Sequence, residues 1–170
     1  DGQYALGKYY LGENRTALAL VAFSKALDYE PEHAEALNGR ASAMVRLGDV
    51  DSAIADLEHA VRLVPQASHL KSNLGYAYFL KGQYAKAAQA LRAAFELDPR
   101  NARVRANWEA LVAKASTDPA VASALGERRS LGEPGIEALA AIKTPPTQGA
   151  VNEILAQAVV TLSYDGVLAN

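Results

Sequence analysis

Residues 74–99 have the sequence LGYAYFLKGQYAKAAQALRAAFELDP, and this stretch determines the fold. Its apolar residues recur at spacings of three and four, first up to Leu80 and again after Gln83, which predicts two helices. Gly82 lies between the two helices. Pro99 follows the second helix and would stop it, because proline cannot continue a helix from its predecessor. The stretch therefore predicts one helix-turn-helix unit.

The same pattern recurs every 34 residues toward the N-terminus. Each unit ends in a proline, and alanines precede that proline by five and by twelve residues. A small residue on the first helix is expected to face one of these alanines on the second helix, so that the two helices approach closely while large apolar side chains fill the space beside the contact. A period of 34 residues is typical of a solenoid built from helix pairs. The repeated positions are Pro31, Pro65 and Pro99; Ala26, Ala60 and Ala94; Ala19, Ala53 and Ala87; and Gly7, Ala41 and Gly75.

A solenoid is expected over residues 1–133, with units at about 1–33, 34–67 and 68–101 and a divergent fourth unit at about 102–133. Trp108 stands at the position of Leu74 in the fourth unit. Asp118-Pro119 predicts a helix start, because a capping side chain precedes a proline that suits the first helical position. Terminal repeats diverge when one face meets something other than another repeat.

Residues 134–170 are expected to form a separate C-terminal segment with few charged side chains. A linker at Thr144-Pro145-Pro146-Thr147 precedes an apolar stripe at helical spacing, although residues 159–162 would equally suit a strand. The segment either caps the last repeat as a helix, or docks on a partner or folds back into a groove of the solenoid. The stripe consists of Val151, Ile154, Leu155, Val159 and Leu162.

The repeated positions resemble the tetratricopeptide repeat family. The resemblance rests on Leu6-Gly7-x-x-Tyr10 followed by Ala19, Phe23, Ala26 and Pro31, and on the matching residues Leu74, Gly75, Tyr78, Ala87, Leu91, Ala94 and Pro99. The middle unit departs from it, with Arg40-Ala41 in place of Leu-Gly. The resemblance implies an all-α, right-handed superhelical solenoid with C-terminal capping helices, in which the first helix of each unit lines a concave groove.

The resemblance also implies that the groove holds a peptide or helix of another protein. Asn73 and Asn107 occupy equivalent positions, so they are expected to bond an extended peptide backbone. Tyr76 and Phe79 either offer exposed aromatic surface beside them or pack against the neighbouring helices. The expected groove residues are Tyr4, Lys8, Leu11, Asn38, Ser42, Val45, Arg46, Ser72, Asn73, Tyr76, Phe79, Arg103 and Asn107, together with His69.

One subgroup of the family binds the C-terminal carboxylate of its ligand with Lys, Asn and Arg side chains, and this chain departs from that pattern. Asn73 matches the middle asparagine, and Arg103 keeps a positive charge. Asn38, Ser42 and Asn107, however, stand where lysine, asparagine and arginine are expected. Because binding a carboxylate this way needs convergent cations, the groove is expected to suit an amphipathic or extended hydrophobic ligand.

Composition argues against several kinds of chemistry. The chain contains no cysteine, which excludes thiol catalysis and cysteine-bound zinc. Its net charge of -2 gives no overall attraction to nucleic acid or an anionic membrane. No apolar run reaches the roughly 18 residues of a membrane span. The histidines at 33, 59 and 69 lack the spacing of a metal site.

The sequence therefore predicts a non-catalytic protein-binding scaffold without a cofactor or metal, whose partner is a protein and not a nucleic acid. A basic cluster at Arg92, Arg100, Arg103 and Arg105 is either a solvated face or a site for an acidic peptide or for phosphate groups. The style of the sequence resembles bacterial members of the family. That resemblance implies an envelope lipoprotein of pilus or secretion-channel assembly, at the periplasmic side of the outer membrane, with a secretin or pilus-assembly component as partner.

Two other classes stay open: a cytoplasmic adaptor or regulator, and the non-catalytic repeat module of a larger enzyme. The chain starts at Asp1-Gly2, without a signal peptide or a lipid-bearing cysteine. Since it begins inside a structural unit, it is expected to be a piece of a longer protein.

Overall fold

The computed structural model describes residues 2–126, and this part of the chain consists of eight α-helices with no strand. The expectation of an all-α fold of helix-turn-helix repeats is confirmed. The C-terminal segment at 134–170 and its apolar stripe lie outside the described residues, so the predicted division of the chain stays a prediction. The helices are α1 (Gly2–Gly12), α2 (Thr16–Tyr29), α3 (Ala34–Leu47), α4 (Val50–Leu63), α5 (Ser68–Leu80), α6 (Tyr84–Leu97), α7 (Ala102–Ala115) and α8 (Pro119–Gly126).

The corner between the two helices of a unit has the same backbone geometry in the first three units. Asn14, Gly48 and Gly82 stand 34 residues apart, and they have φ angles of 57°, 88° and 75°. Glycine suits this left-handed conformation because it has no Cβ, and asparagine tolerates it better than most residues. The next backbone N–H then donates to a carbonyl of the preceding helix, as Gln83 does to Tyr78 at 2.9 Å.

The second helix of each of these units ends two residues before its proline. Glu30, Val64 and Asp98, which directly precede the prolines, have φ angles of -131°, -131° and -149°. Extended backbone is expected there, because the proline ring disfavours the helical conformation in the residue before it. The prolines therefore end the helices, as the sequence predicted.

Side chains cap several of the following helices. The imidazole Nδ1 of His33 accepts a hydrogen bond from the backbone N–H of Ala36, and Asn101 accepts from Val104 at the start of α7. The Asp118 carboxylate accepts from the backbone N–H of Ala120 at 3.0 Å. Such bonds satisfy N–H groups that have no partner within the helix. The Asp118 bond confirms the helix start predicted for the fourth unit.

The helices pack in two layers. The first helices α1, α3, α5 and α7 contact one another in series, and they are called the first-helix layer below. Each of α2, α4 and α6 packs between the first helix of its own unit and that of the next unit. Six alanines are buried in these contacts: Ala19, Ala53, Ala87, Ala26, Ala60 and Ala94.

Phe23 of α2 fills the space between two first helices. A Cβ atom built on Gly7 would lie 2.7 Å from its ring, and one built on Gly39 would lie 2.5 Å from it. Leu91 stands in the same way against Gly75 within the third unit, at 2.6 Å. The glycines therefore contact a large side chain directly. This differs from the expectation that they face the alanines while the large side chain lies beside the contact.

The second unit holds an ion pair where its neighbours have apolar residues. Arg40 stands at the position of Leu74 and donates to both carboxylate oxygens of Asp56, at 2.6 and 2.8 Å. The hydrogen bond to Asp56 raises the pKa of Arg40. The equivalents of Asp56 are Ala22 and Ala90, so both members of the pair are specific to this unit.

In the fourth unit, Trp108 of α7 is buried, and Val121 of α8 belongs to the same core cluster. Leu125 packs against this cluster from the position that Leu91 holds in the third unit. α7 and α8 therefore extend the packing of the preceding units, although α8 is short and the left-handed corner is not repeated.

Candidate partner-binding face

The expected groove residues all lie on the first-helix layer. This follows from the repeat, because equivalent positions of successive units fall on the same side of successive first helices. The layer carries Tyr4, Lys8 and Leu11 on α1; Asn38, Ser42, Val45 and Arg46 on α3; Ser72, Asn73, Tyr76 and Phe79 on α5; and Arg103 and Asn107 on α7.

The aromatic side chains of α5 are not exposed, so the expectation of an open aromatic surface is wrong. Tyr76 is 1% exposed and Phe79 is 8% exposed. Their ring centroids lie 6.3 Å apart, and the Phe79 ring lies 5.9 Å from that of Tyr84 on α6. The alternative, in which the rings pack against neighbouring helices, describes the structure. Leu11, Asn38, Ser42, Ser72, Asn73 and Asn107 are also buried, whereas Tyr4, Lys8, Val45, Arg46 and Arg103 are partly exposed.

Four buried polar side chains connect α3, α5 and α7. The amide nitrogen of Asn73 donates to the side-chain oxygen of Asn38 at 2.7 Å. That of Asn107 donates to the hydroxyl oxygen of Ser72 at 2.9 Å. We call Asn38, Ser72, Asn73 and Asn107 the polar track. Asn73 and Asn107 were expected to bond a ligand. Their NH₂ groups instead donate to side chains of the neighbouring first helix.

Three polar side-chain atoms on α5 and α7 have no hydrogen-bond partner among the described residues. They are the amide oxygens of Asn73 and Asn107 and the hydroxyl of Tyr76, and each is buried. Burial raises the pKa of Tyr76 to about 12, so its hydroxyl is a neutral donor near pH 7. A buried polar atom without a partner costs about 1–3 kcal/mol, and native proteins contain few of them. Three on two adjacent helices therefore indicate a place where further hydrogen bonds can form.

The N-terminal end of the layer is aromatic and basic. The Tyr4 ring lies 4.7 Å from the ring of His33 and 6.0 Å from that of Phe23. The Lys8 ammonium lies 5.4 Å from the centroid of the Tyr4 ring, within the range of a cation–π contact. Burial, with a smaller effect of Glu35, raises the pKa of Tyr4. This end of the layer therefore offers a polar aromatic side chain and a cation together.

Two contacts between units were not predicted from the sequence. Arg46 donates to the backbone carbonyl of Leu11 at 3.3 Å and to the side chain of Asn14 at 3.2 Å, and burial lowers its pKa. The imidazole Nε2 of His69 lies 2.8 Å from the Glu35 carboxylate. Glu35 and His69 are 34 residues apart and so occupy equivalent positions of adjacent repeats. This spacing could have been used to predict that the two side chains lie close together.

The described residues show no sign of a metal site or a membrane helix. Within residues 2–126, no three His, Asp or Glu side chains lie together in a way that could hold a metal ion. None of the helices in this range is long and apolar enough to cross a membrane.

The family model described as the tetratricopeptide repeat matches residues 4–68 and 40–102. The chain belongs to the tetratricopeptide repeat family. This TPR chain is 35% identical over 83 residues to the small glutamine-rich TPR-containing protein 2 of Mycosarcoma maydis, an alignment that covers 49% of the chain and 24% of that relative. It spans at most about a quarter of the length of the curated relatives it matches.

Solved structures share the fold of the chain. The first TPR domain of Spaghetti (RPAP3), bound to the HSP90 peptide SRMEEVD, has a TM-score of 0.57 and 27% identity, and covers 66% of this chain and 96% of that domain. MamA has a TM-score of 0.59 and 21% identity, and covers 96% of this chain and 92% of that one. The MamA likeness concerns the fold alone.

Proposed function

We propose that this TPR chain is a non-catalytic scaffold that binds a segment of a partner protein along its first-helix layer. The bound segment is extended, and its backbone hydrogen bonds to the polar track and to Tyr76. The observation that carries this proposal is the set of three unpaired atoms: two amide oxygens that can accept backbone N–H groups, and one hydroxyl that can donate to a carbonyl. The peptide-bound RPAP3 domain supports binding of this general kind.

The side chains of the layer favour recognition of a peptide backbone over recognition of a charged terminus. Asn38, Ser42 and Asn107 stand at positions where a carboxylate-binding relative would have lysine, asparagine and arginine. A carboxylate is held well only by convergent cations, whereas neutral amides suit the alternating donors and acceptors of an extended chain. Because the three unpaired atoms are buried, a ligand reaches them only when the side chains around them move.

Tyr76→Phe tests this proposal, because it removes one unpaired hydroxyl and keeps the ring. The full chain is used to select peptides from a phage-displayed library, and the selected peptides are measured by fluorescence anisotropy. We expect the variant to bind them about fivefold more weakly, corresponding to about 1 kcal/mol for one hydrogen bond. Its free energy of unfolding should rise by about 1 kcal/mol, because a buried hydroxyl without a partner is lost.

Tyr78→Phe is the matched control, since it removes a hydroxyl from the same helix that already donates to Glu58. This variant should lose stability and keep its affinity for the peptides. Amidating the C-terminus of the selected peptides should leave binding unchanged. Wild-type affinity in Tyr76→Phe would contradict the proposal, and so would binding that requires a free terminal carboxylate.

A role in pilus or secretion-channel assembly, with a secretin as partner and a place at the outer membrane, stays a prediction. The curated relatives that the chain matches come from Mycosarcoma maydis and from Homo sapiens. The cytoplasmic adaptor and the repeat module of a larger enzyme use the same binding face in our proposal. They differ from the envelope role in the partner and in the compartment.

A further inference from the structure

The edge of the solenoid at which α3, α5 and α7 begin changes from acidic to basic along the chain. Residues 30–37, 64–71 and 98–105 are the equivalent stretches that form this edge. The first stretch has three carboxylates and no Lys or Arg, the second has one lysine, and the third has three arginines and one aspartate. We call these three stretches the graded edge, because their net charge rises from one unit boundary to the next.

Two rows of equivalent positions show this change residue by residue. Each row has a glutamate at the start of α3, a side chain other than Asp, Glu, Lys or Arg at the start of α5, and an arginine at the start of α7. The side chains of one row are exposed, and those of the other are partly exposed. The exposed row is Glu32, Gln66 and Arg100, and the partly exposed row is Glu35, His69 and Arg103.

The partly exposed row lies beside the polar track. Glu35, His69 and Arg103 each stand three or four residues before a member of the track, so they lie one turn from it on the same side of the first helices. The His69 imidazole lies 2.8 Å from the Glu35 carboxylate, so this row connects neighbouring first helices as the track does. Burial and, to a smaller extent, the charge of Glu35 raise the pKa of Tyr4, so this charge acts on the first-helix layer.

The buried unpaired atoms of the layer show where a ligand on this side has bonds to make. They are the amide oxygens of Asn73 and Asn107 and the hydroxyl of Tyr76. A segment bound to them runs about 5.4 Å, the length of one helical turn, from the partly exposed row. Its side chains therefore reach the graded edge.

We propose that the first-helix layer binds a segment of a partner protein that carries a basic side chain over the start of α3 and an acidic side chain over the start of α7. This inference rests on the proposed function and adds the charges of the ligand and the way it lies on the layer. The reverse placement would set an acidic side chain against Glu32 and Glu35 and a basic one against Arg100. Such like-charge contacts select against a ligand even where the favourable pairs add little affinity.

The spacing of the helices determines how far apart the two charges of the ligand are. Packed helices lie about 8–10 Å apart, so α3 and α7, two steps apart, are separated by about 16–20 Å. An extended chain rises about 3.3 Å per residue, so this distance corresponds to about five or six residues. The residues between the two charges lie over α5, where Tyr76 and Asn73 are available to the backbone.

The test uses the peptides that the full chain selects from the phage-displayed library. We expect them to share a basic and an acidic residue about five or six positions apart, in either order. Exchanging these two residues within a peptide should weaken its binding to wild type about tenfold at low ionic strength, as measured by fluorescence anisotropy. The loss should shrink at about 1 M salt, where the screening length is only about 3 Å.

The double variant Glu32→Lys/Arg100→Glu should reverse this preference and bind the exchanged peptide about tenfold more tightly than the original. Both side chains are exposed and the net charge is unchanged, so the variant should fold like wild type, which circular dichroism checks. Glu13→Lys/Lys25→Glu is the matched control. It makes the same two changes at exposed positions outside the graded edge, and it should bind both peptides like wild type.

Selected peptides without the charge pair would overturn this inference. So would an equal response of wild type and the Glu32/Arg100 variant to the exchange, or a control variant that also reverses the preference. The proposed function would survive these results if Tyr76→Phe still weakened binding of the same peptides. Peptides that show the charge pair and the reversal but bind Tyr76→Phe like wild type would contradict the backbone bonds of the proposed function and support the graded edge alone.

Discussion

At the scale of single residues, Arg40 and Asp56 form an ion pair at two positions where the first and third units have apolar side chains. The first and third units have Leu6 with Ala22 and Leu74 with Ala90 at these two positions. The two hydrogen bonds between guanidinium and carboxylate satisfy charges that lie largely out of water. The pair therefore stabilises the unit only while both members are present.

Arg40→Leu alone should lower the free energy of unfolding by about 2–4 kcal/mol, because the Asp56 carboxylate is then buried without its partner. Asp56→Ala alone should also destabilise the protein. The double variant, which restores the residues of the third unit, should recover to within about 1 kcal/mol of wild type. Urea unfolding of the four proteins measures this coupling, and strictly additive losses would contradict it.

The sequence predicted on which helices the residues of the candidate site lie, but it did not predict how exposed their side chains are. The repeat places Asn73, Tyr76 and Asn107 on the first helices, because register alone determines the side of a helix on which a residue lies. It does not determine how closely successive units pack, and this distance decides whether Tyr76 is exposed. The bond between Asn38 and Asn73 depends on the same distance, so it could not be predicted from either residue alone.

At the scale of elements, the corner of each of the first three helix pairs depends on one residue with a positive φ angle. The bounds of the helices could be predicted from the sequence because glycine and proline mark them at regular spacing. The corner residues Asn14, Gly48 and Gly82 confirm that the same backbone geometry recurs with two residue types. α8 was predicted from Asp118-Pro119, where the signal is a cap and not a corner glycine.

Gly48→Ala and Gly82→Ala should each cost about 1–2 kcal/mol, because an L-residue is strained in the left-handed conformation. A Cβ atom at either position would meet nothing within 4 Å, so the cost comes from the backbone alone. Gly12→Ala is the control: it lies at the end of α1, also without a neighbour within 4 Å, and should be neutral or slightly stabilising. Chemical denaturation that showed no difference between Gly12→Ala and Gly48→Ala would contradict this account.

At the scale of the whole molecule, each helix of residues 2–126 packs mainly on helices of its own unit and of the adjacent units. Stability in such an array is approximately a sum of the contributions of units and of the boundaries between them. A substitution at one boundary should therefore loosen the adjacent helices and leave distant ones protected.

Gly39→Ala should reduce stability by about 1–3 kcal/mol, because its Cβ would overlap the Phe23 ring. Hydrogen exchange should become faster in α1, α2 and α3 and remain unchanged in α7. Gly75→Ala, which displaces Leu91 instead, should move the loss of protection to α5 and α6. Uniformly faster exchange in both variants would show that the array unfolds as one cooperative block.

The contact of Phe23 with Gly39 also bears on how such a chain can be rearranged in evolution or design. Phe23, the large residue of this contact, belongs to the first sequence repeat, and Gly39, the small one, belongs to the second. At the next two boundaries the equivalent pairs are Leu57 with Asn73 and Leu91 with Asn107. Swapping whole repeats would place the Phe23 ring against an asparagine. A segment that runs from the middle of one repeat to the middle of the next keeps Phe23 with Gly39, but it separates Phe23 from Gly7, so the glycines on both sides of the ring have to be exchanged together with it.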